Sequence, residues 1–176
     1  CMINRDIYQK DPATRKLVNA GVASVNDDKS SQALSVLRYE LETFVCDGQY
    51  EKGLSDILET FLGNLDEVKQ PAVWVSGFYG SGKSHMVKVM RYLWTDYDLG
   101  DGNSARSVVH LPENVRELFK EITTKGRQGV GLHAAGGTLT AGIGDVRMRI
   151  LMILLKSVGL PENVSRAKLI MDLRDD

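Results

Sequence analysis

The chain has 176 residues, 43% hydrophobic and 26% charged, with a formal net charge of −1. This is an ordinary globular balance at a length sufficient for one domain with a core, and it excludes a global basic field for nucleic acid. The two cysteines, Cys1 and Cys46, lie far apart and form no C-x-x-C pair, which argues against a disulfide framework or a zinc site; no apolar run approaches the ~20 residues of a membrane helix.

With no signal-peptide pattern in the first residues, a cytoplasmic location is expected. Residues 1–70 read as an N-terminal region with two amphipathic helices. Leu17-Val18 and Val22-Ala23-Ser24-Val25 are candidate short strands, and Asp27, Asp28 and Ser30 are candidate helix caps. Leu34, Leu37, Leu41, Phe44 and Val45 then form one apolar stripe, which Asp47-Gly48 should end. Leu54, Ile57, Leu58, Phe61, Leu62 and Leu65, at steps of three and four, predict a second helix paired antiparallel with the first.

Pro71 breaks the chain before the stretch around which residues 71–176 are organised. Gly77-Phe78-Tyr79-Gly80-Ser81-Gly82-Lys83-Ser84 fits G-x-x-x-x-G-K-[ST], the phosphate-binding loop. Ala72-Val73-Trp74-Val75-Ser76 ahead of it reads as a buried strand. Met86, Val87, Met90, Leu93 and Trp94 behind it recur at helical spacing. Strand, glycine loop and helix are the setting the motif requires. Glycines allow tight turns that bring main-chain N–H groups against phosphate, and the helix adds its unsatisfied first-turn N–H groups and positive dipole end. Lys83 is the candidate catalytic residue, on the β and γ phosphates, and the Ser84 hydroxyl the candidate Mg²⁺ ligand. His85 either lies near the nucleotide or packs as a first-turn side chain. The competing reading of the loop is a glycine-rich turn with a solvated lysine.

Residues 95–107 read as an exposed loop. Asp96, Asp98 and Asp101 invite a calcium site, but Gly100 and Ser107 stand where such a loop needs ligands. Pro112 should open a helix carrying Val115, Leu118, Phe119 and Ile122, closed by Lys125-Gly126. Val130-Gly131-Leu132-His133-Ala134-Ala135 reads as a second strand, running into a glycine-rich stretch over residues 136–144. A second phosphate site there lacks Gly-Lys-Ser, so a loop near the nucleotide or a partner fits better. Asp145 should cap a helix carrying Val146, Ile150, Ile153, Leu154 and Val158, ended by Gly159; the run from Ile150 to Leu155 reads as buried. A last helix, opened by Pro161, carries Val164, Ala167, Leu169, Ile170 and Leu173. Arg147 and Arg149 could reach a γ-phosphate, though a solvated helix face suits them better. The fold class expected is α/β: a P-loop NTPase sheet of the AAA-like kind with flanking helices, preceded by the helical region. That sheet is expected to be incomplete, because no apolar strand ends in a metal-binding carboxylate. Leu169-Ile170-Met171-Asp172 comes nearest, within a helical pattern, and the missing acid is expected beyond Asp176.

Asn4-Arg5-Asp6-Ile7-Tyr8-Gln9-Lys10-Asp11 and the segment from Val73 through the loop to His85-Met86-Val87-Lys88 resemble the front of the large P-loop ATPases of bacteriophage-exclusion (BREX) systems, the BrxC/PglY family. The stretch from Leu132 to Pro161 departs from that pattern. The resemblance implies a cytoplasmic ATPase that uses ATP and Mg²⁺ and acts with a methyltransferase and a phosphatase-like protein against phage DNA replication. A second copy of the chain is a further candidate partner. A nucleotide-independent scaffold, or a related phage-resistance ATPase, is the alternative.

Overall fold

The computed structural model describes residues 31–139 and 145–175; the candidate strands and caps before Ser31 lie outside them. Among the described residues seven helices follow in order: α1 (Ser31–Glu42), α2 (Gly48–Gly63), α3 (Lys83–Thr95), α4 (Ala105–Val108), α5 (Glu113–Gln128), α6 (Val146–Ser157) and α7 (Val164–Asp175). Among the described residues the one β-type pairing is an isolated antiparallel bridge between Asp98 and Ser104.

The expected α/β sheet is therefore corrected: the described chain is helical. Neither Ala72–Ser76 nor Val130–Ala135 is a strand. A strand exists only through the ladder it shares with a neighbour, and no described segment lies alongside either run to provide one. Trp74 is 90% exposed and Val130 fully so, whereas Val75 and Leu132 turn inward to pack on the helices.

One cluster of buried side chains joins Leu37 and Leu41 of α1, Leu54 and Leu58 of α2, Val89 and Leu93 of α3, and Val115, Phe119 and Ile122 of α5. α2 packs chiefly on α5, and α1 on α4, so the expected antiparallel α1–α2 pair is not the main packing unit. Asn114 Nδ2 donates to Ser55 Oγ at 3.2 Å across the α2–α5 contact. Phe44 is buried just past the end of α1, but Val45, placed in the same stripe by spacing, is exposed because the helix has already stopped at Glu42. Asp47-Gly48 opens α2 rather than closing α1.

Residues 95–107 are more ordered than a solvated loop. Leu99 is buried, Ala105 starts α4 inside the core, and Ser104 with Ser107 forms a capping box. The acidic side chains serve the turn itself: Asp98 Oδ1 accepts from Gly100 N at 2.8 Å, Asp101 Oδ1 accepts from Asn103 N at 3.1 Å, and Asp101 also pairs with Arg38.

Asp145 caps α6 as expected, its carboxylate accepting from Arg147 N. The buried face of that helix is not the predicted one. Leu155 is buried, while Val146, Ile150 and Leu154 are exposed. Leu155, Leu160 and Ala167 form a second, small cluster linking α6 to α7. Among the described residues no helix is long and apolar enough to cross a membrane.

Candidate functional site

The glycine loop runs directly into α3, whose first residue is Lys83. Gly80 and Gly82 sit at φ +79° and +81°, in the left-handed region that L side chains rarely adopt. Gly82 is the N-cap and supplies no side-chain cap, so the first-turn N–H groups of α3 are not claimed by a capping side chain. The Gly82 carbonyl accepts from Met86 N at 2.9 Å, starting the helix within the motif. Of the expected setting of strand, loop and helix, only the loop and the helix are present, since Ala72–Ser76 is not a strand.

Lys83 bends back over the loop. Its Nζ donates to the carbonyls of Gly77 at 2.8 Å and Phe78 at 2.6 Å, and lies 3.4 Å from Ser81 Oγ. Ser81 N donates to the Phe78 carbonyl at 3.2 Å, closing the turn. The ammonium thus stands over the loop, in a position to exchange backbone carbonyls for anionic oxygens. Ser84 is exposed in the first turn of α3, and Phe78 and Tyr79 are 91% and 98% exposed at the loop tip.

His85 is half-buried in the first turn of α3 and packs on Phe44. Its ring lies 5.7 Å from that of Phe44, and burial holds its pKa below the ordinary histidine value, against an upward pull from Glu40. Arg147 pairs with Asp145 at 3.0 Å on an exposed face of α6. Asp172 lies within α7 on no strand tip. His133 Nε2 lies 2.9 Å from Ser157 Oγ, and the latter donates to the Leu154 carbonyl at 2.6 Å, so the hydroxyl proton is turned away from the imidazole.

The described part of the second glycine-rich stretch packs against α6. A Cβ at Gly137 would lie 2.7 Å from Ile153 Cγ1. Together with α3 and α6 it walls an apolar cleft of about 520 Å³, lined by Val87, Met90, Trp94, Leu139, Ile150 and Leu154 among others. Residues 140–144 lie outside the described chain.

Two contacts had no signal in the sequence. Tyr50, in the first turn of α2, donates its hydroxyl proton to the Ser81 carbonyl, 31 residues away. Lys88 is buried in α3 and paired with Glu40 of α1. Both depend on which helices meet, which periodicity within one helix does not encode.

The residues present suit a polyphosphate: left-handed glycines, an uncapped helix start and one ammonium poised over the turn. For a metal they offer the Ser84 hydroxyl, and among the described residues no group of three or more His, Cys, Asp or Glu side chains converges on a metal-sized site. One hydroxyl is a fit for Mg²⁺, which reaches a protein through few side chains plus the nucleotide's own phosphates. No family model matches this chain, and no solved structure matches it significantly.

Proposed function

We propose that residues 77–84 bind the polyphosphate of ATP together with Mg²⁺, and that the chain is the nucleotide-binding part of a large phage-defence ATPase of the BREX type. The observation that carries this reading is Lys83 Nζ held over a turn whose glycines lie at positive φ and which leads straight into an uncapped helix. Main-chain N–H groups of the loop and of the first turn of α3 would take the phosphate oxygens. Lys83 would offer its remaining N–H to the β and γ phosphates, and Ser84 would take a metal coordination position. Bound Mg²⁺ neutralises charge on those phosphates. No described residue is assigned to position an attacking water, so hydrolysis is proposed for the whole ATPase, while this segment binds and senses nucleotide.

Calorimetric titration with Mg²⁺-ATP tests the reading. The parent chain is expected to bind, and Lys83→Ala to weaken binding by roughly ten- to a hundredfold, the value of a lost charge-assisted hydrogen bond. A parent that does not bind, or a Lys83→Ala chain that binds equally well, overturns it.

A nucleotide-independent docking module is the second reading. It is favoured by the apolar side chains that α6 and α7 leave exposed, among them Ile150, Leu154, Leu169 and Leu173. It predicts a stable complex with another defence component, such as the methyltransferase or the phosphatase-like protein, and no change in melting temperature with Mg²⁺-ATP.

A further inference from the structure

The phosphate loop is held from two sides. On one side Lys83 Nζ donates to the Gly77 and Phe78 carbonyls. On the other, the Tyr50 hydroxyl donates to the Ser81 carbonyl. Lys83 carries three N–H donors and belongs to the motif itself, so its two loop bonds leave one donor for a phosphate. Among the described residues, Tyr50 is the side chain outside the motif that grips the loop's backbone.

The position of that grip matters. A peptide unit is planar and trans, so its C=O and N–H point in opposite directions. Holding the Ser81 carbonyl toward Tyr50 turns the Gly82 N–H away from α2, and this N–H belongs to the set proposed to meet the phosphates. Tyr50 and Gly82 also fit each other sterically. A Cβ at Gly82 would lie 2.5 Å from the Tyr50 hydroxyl oxygen and 3.6 Å from Cζ. Glycine at 82 therefore serves twice, for its φ of +81° and for the space the hydroxyl occupies. The Tyr50 ring is itself fixed edge-on against Phe44, at a centroid distance of 6.1 Å. Tyr50 stands at the start of α2, so the latch connects the loop to the helix that packs on α5.

We infer that Tyr50 is a positioning residue for phosphate binding: its hydroxyl locks the Ser81–Gly82 peptide with the N–H turned toward the anion. The inference rests on the nucleotide-binding reading above and assigns it a residue outside the motif. Such a latch acts on the phosphates and is blind to the base.

The test is calorimetry on the full 176-residue chain, as parent, Tyr50→Phe and Lys83→Ala, with Mg²⁺-ATP and with Mg²⁺-tripolyphosphate. Phenylalanine keeps the ring packing and removes the hydrogen bond. Tyr50→Phe is expected to weaken both ligands by the same factor, a few-fold to about tenfold. Its melting temperature without ligand should stay within about 4 °C of the parent. Equal affinities for Tyr50→Phe and the parent, with Lys83→Ala impaired, overturn the latch and leave the nucleotide reading standing. A loss confined to ATP also overturns the latch, because it would place Tyr50 at the base. Failure of the parent to bind either ligand overturns both readings. Should Tyr50→Phe unfold the chain, its role is architectural and the latch falls. A double-variant cycle with Gly82→Ala gives an independent measure. Non-additive losses, with Tyr50→Phe softening the effect of the new methyl group, support direct contact; strict additivity sinks it.

Discussion

Glu40 of α1 and Lys88 of α3 meet inside the helical core, with Oε2 2.5 Å from Nζ and side chains 18% and 10% exposed. A pair this far out of water owes its stability to the partner, since either charge left alone keeps its desolvation cost. Lys88→Ala is therefore expected to destabilise the chain by roughly 3 kcal/mol, near the lower end of values for broken buried pairs because Glu40 retains some solvent. Replacing both residues by methionine should cost much less, or stabilise. Urea unfolding of Lys88→Ala and of the double methionine variant measures this, and a double variant as unstable as Lys88→Ala would contradict it.

Arg106 makes a different kind of junction. Its guanidinium donates to the Leu93 and Trp94 carbonyls at the end of α3, at 2.6 and 2.9 Å, and to the Phe119 carbonyl and Thr123 Oγ1 of α5, at 3.0 and 2.6 Å. It also lies 4.8 Å from the centre of the Phe119 ring. Asp96, in the left-handed conformation that ends α3, accepts from Arg106 N at 3.0 Å. A planar fork satisfies acceptors on two helices at once, and a lysine cannot. Arg106→Lys should thus lose most of what Arg106→Ala loses, about 2–4 kcal/mol by the cost of unsatisfied part-buried acceptors. Recovery of near-parent stability by lysine would show that the charge matters and the fork does not.

α2 and α5 were legible because each carries its own period, whereas α4 began within a span read as a loop. Leu54, Leu58 and their neighbours on α2, and Val115, Phe119 and Ile122 on α5, mark the core face in the sequence as they do in the fold. The turn was legible too, since glycine permits the positive φ found at Gly80 and Gly82. The sheet was misread because the composition of a strand says nothing about whether a neighbour exists to pair with it. The pentapeptide Leu-Pro-Glu-Asn-Val shows how little a local string fixes. At residues 111–115 it starts α5 at Glu113 with Pro112 as N-cap, and at residues 160–164 it starts α7 only at Val164, with Asn163 Oδ1 accepting from Arg166 N at 3.0 Å. Its surroundings differ: Asn114 of the first copy is held by Ser55 of α2.

Cys46, between α1 and α2, is 8% exposed, and burial pushes its thiol up to about 11 from 9.0, with Glu51 and Asp47 adding to the rise. The folded chain holds this proton where the unfolded chain releases it. Between about pH 9 and 11 the unfolded state therefore binds fewer protons, and stability falls as pH rises through that window. Below pH 9 this group contributes no pH dependence. In a Cys1→Ser background, a thiol reagent at pH 8 should label Cys46 slowly in the native chain and quickly in urea. Equal rates in both states would mean that the thiol is neither shielded nor shifted.

Gly126 lies in the last turns of α5, where the sequence suggested a helix end, yet the helix continues to Gln128 and the glycine is buried. The reason is Leu132, which folds back from the following segment so that a Cβ at 126 would lie 2.6 Å from its Cγ and 2.8 Å from its Cδ2. Alanine is otherwise the better helix former by about 0.8–1.0 kcal/mol, while overfilling a packed contact costs about 1–3 kcal/mol. Gly126→Ala should therefore be destabilising in the parent. In a Leu132→Ala background the obstacle is gone and only the helix preference remains, so the same substitution should stabilise by about 1 kcal/mol. The reversal of sign is the informative result. If Gly126→Ala changes stability equally in both backgrounds, as read from chemical denaturation, Leu132 does not occupy the space beside that glycine and the segment after α5 packs elsewhere.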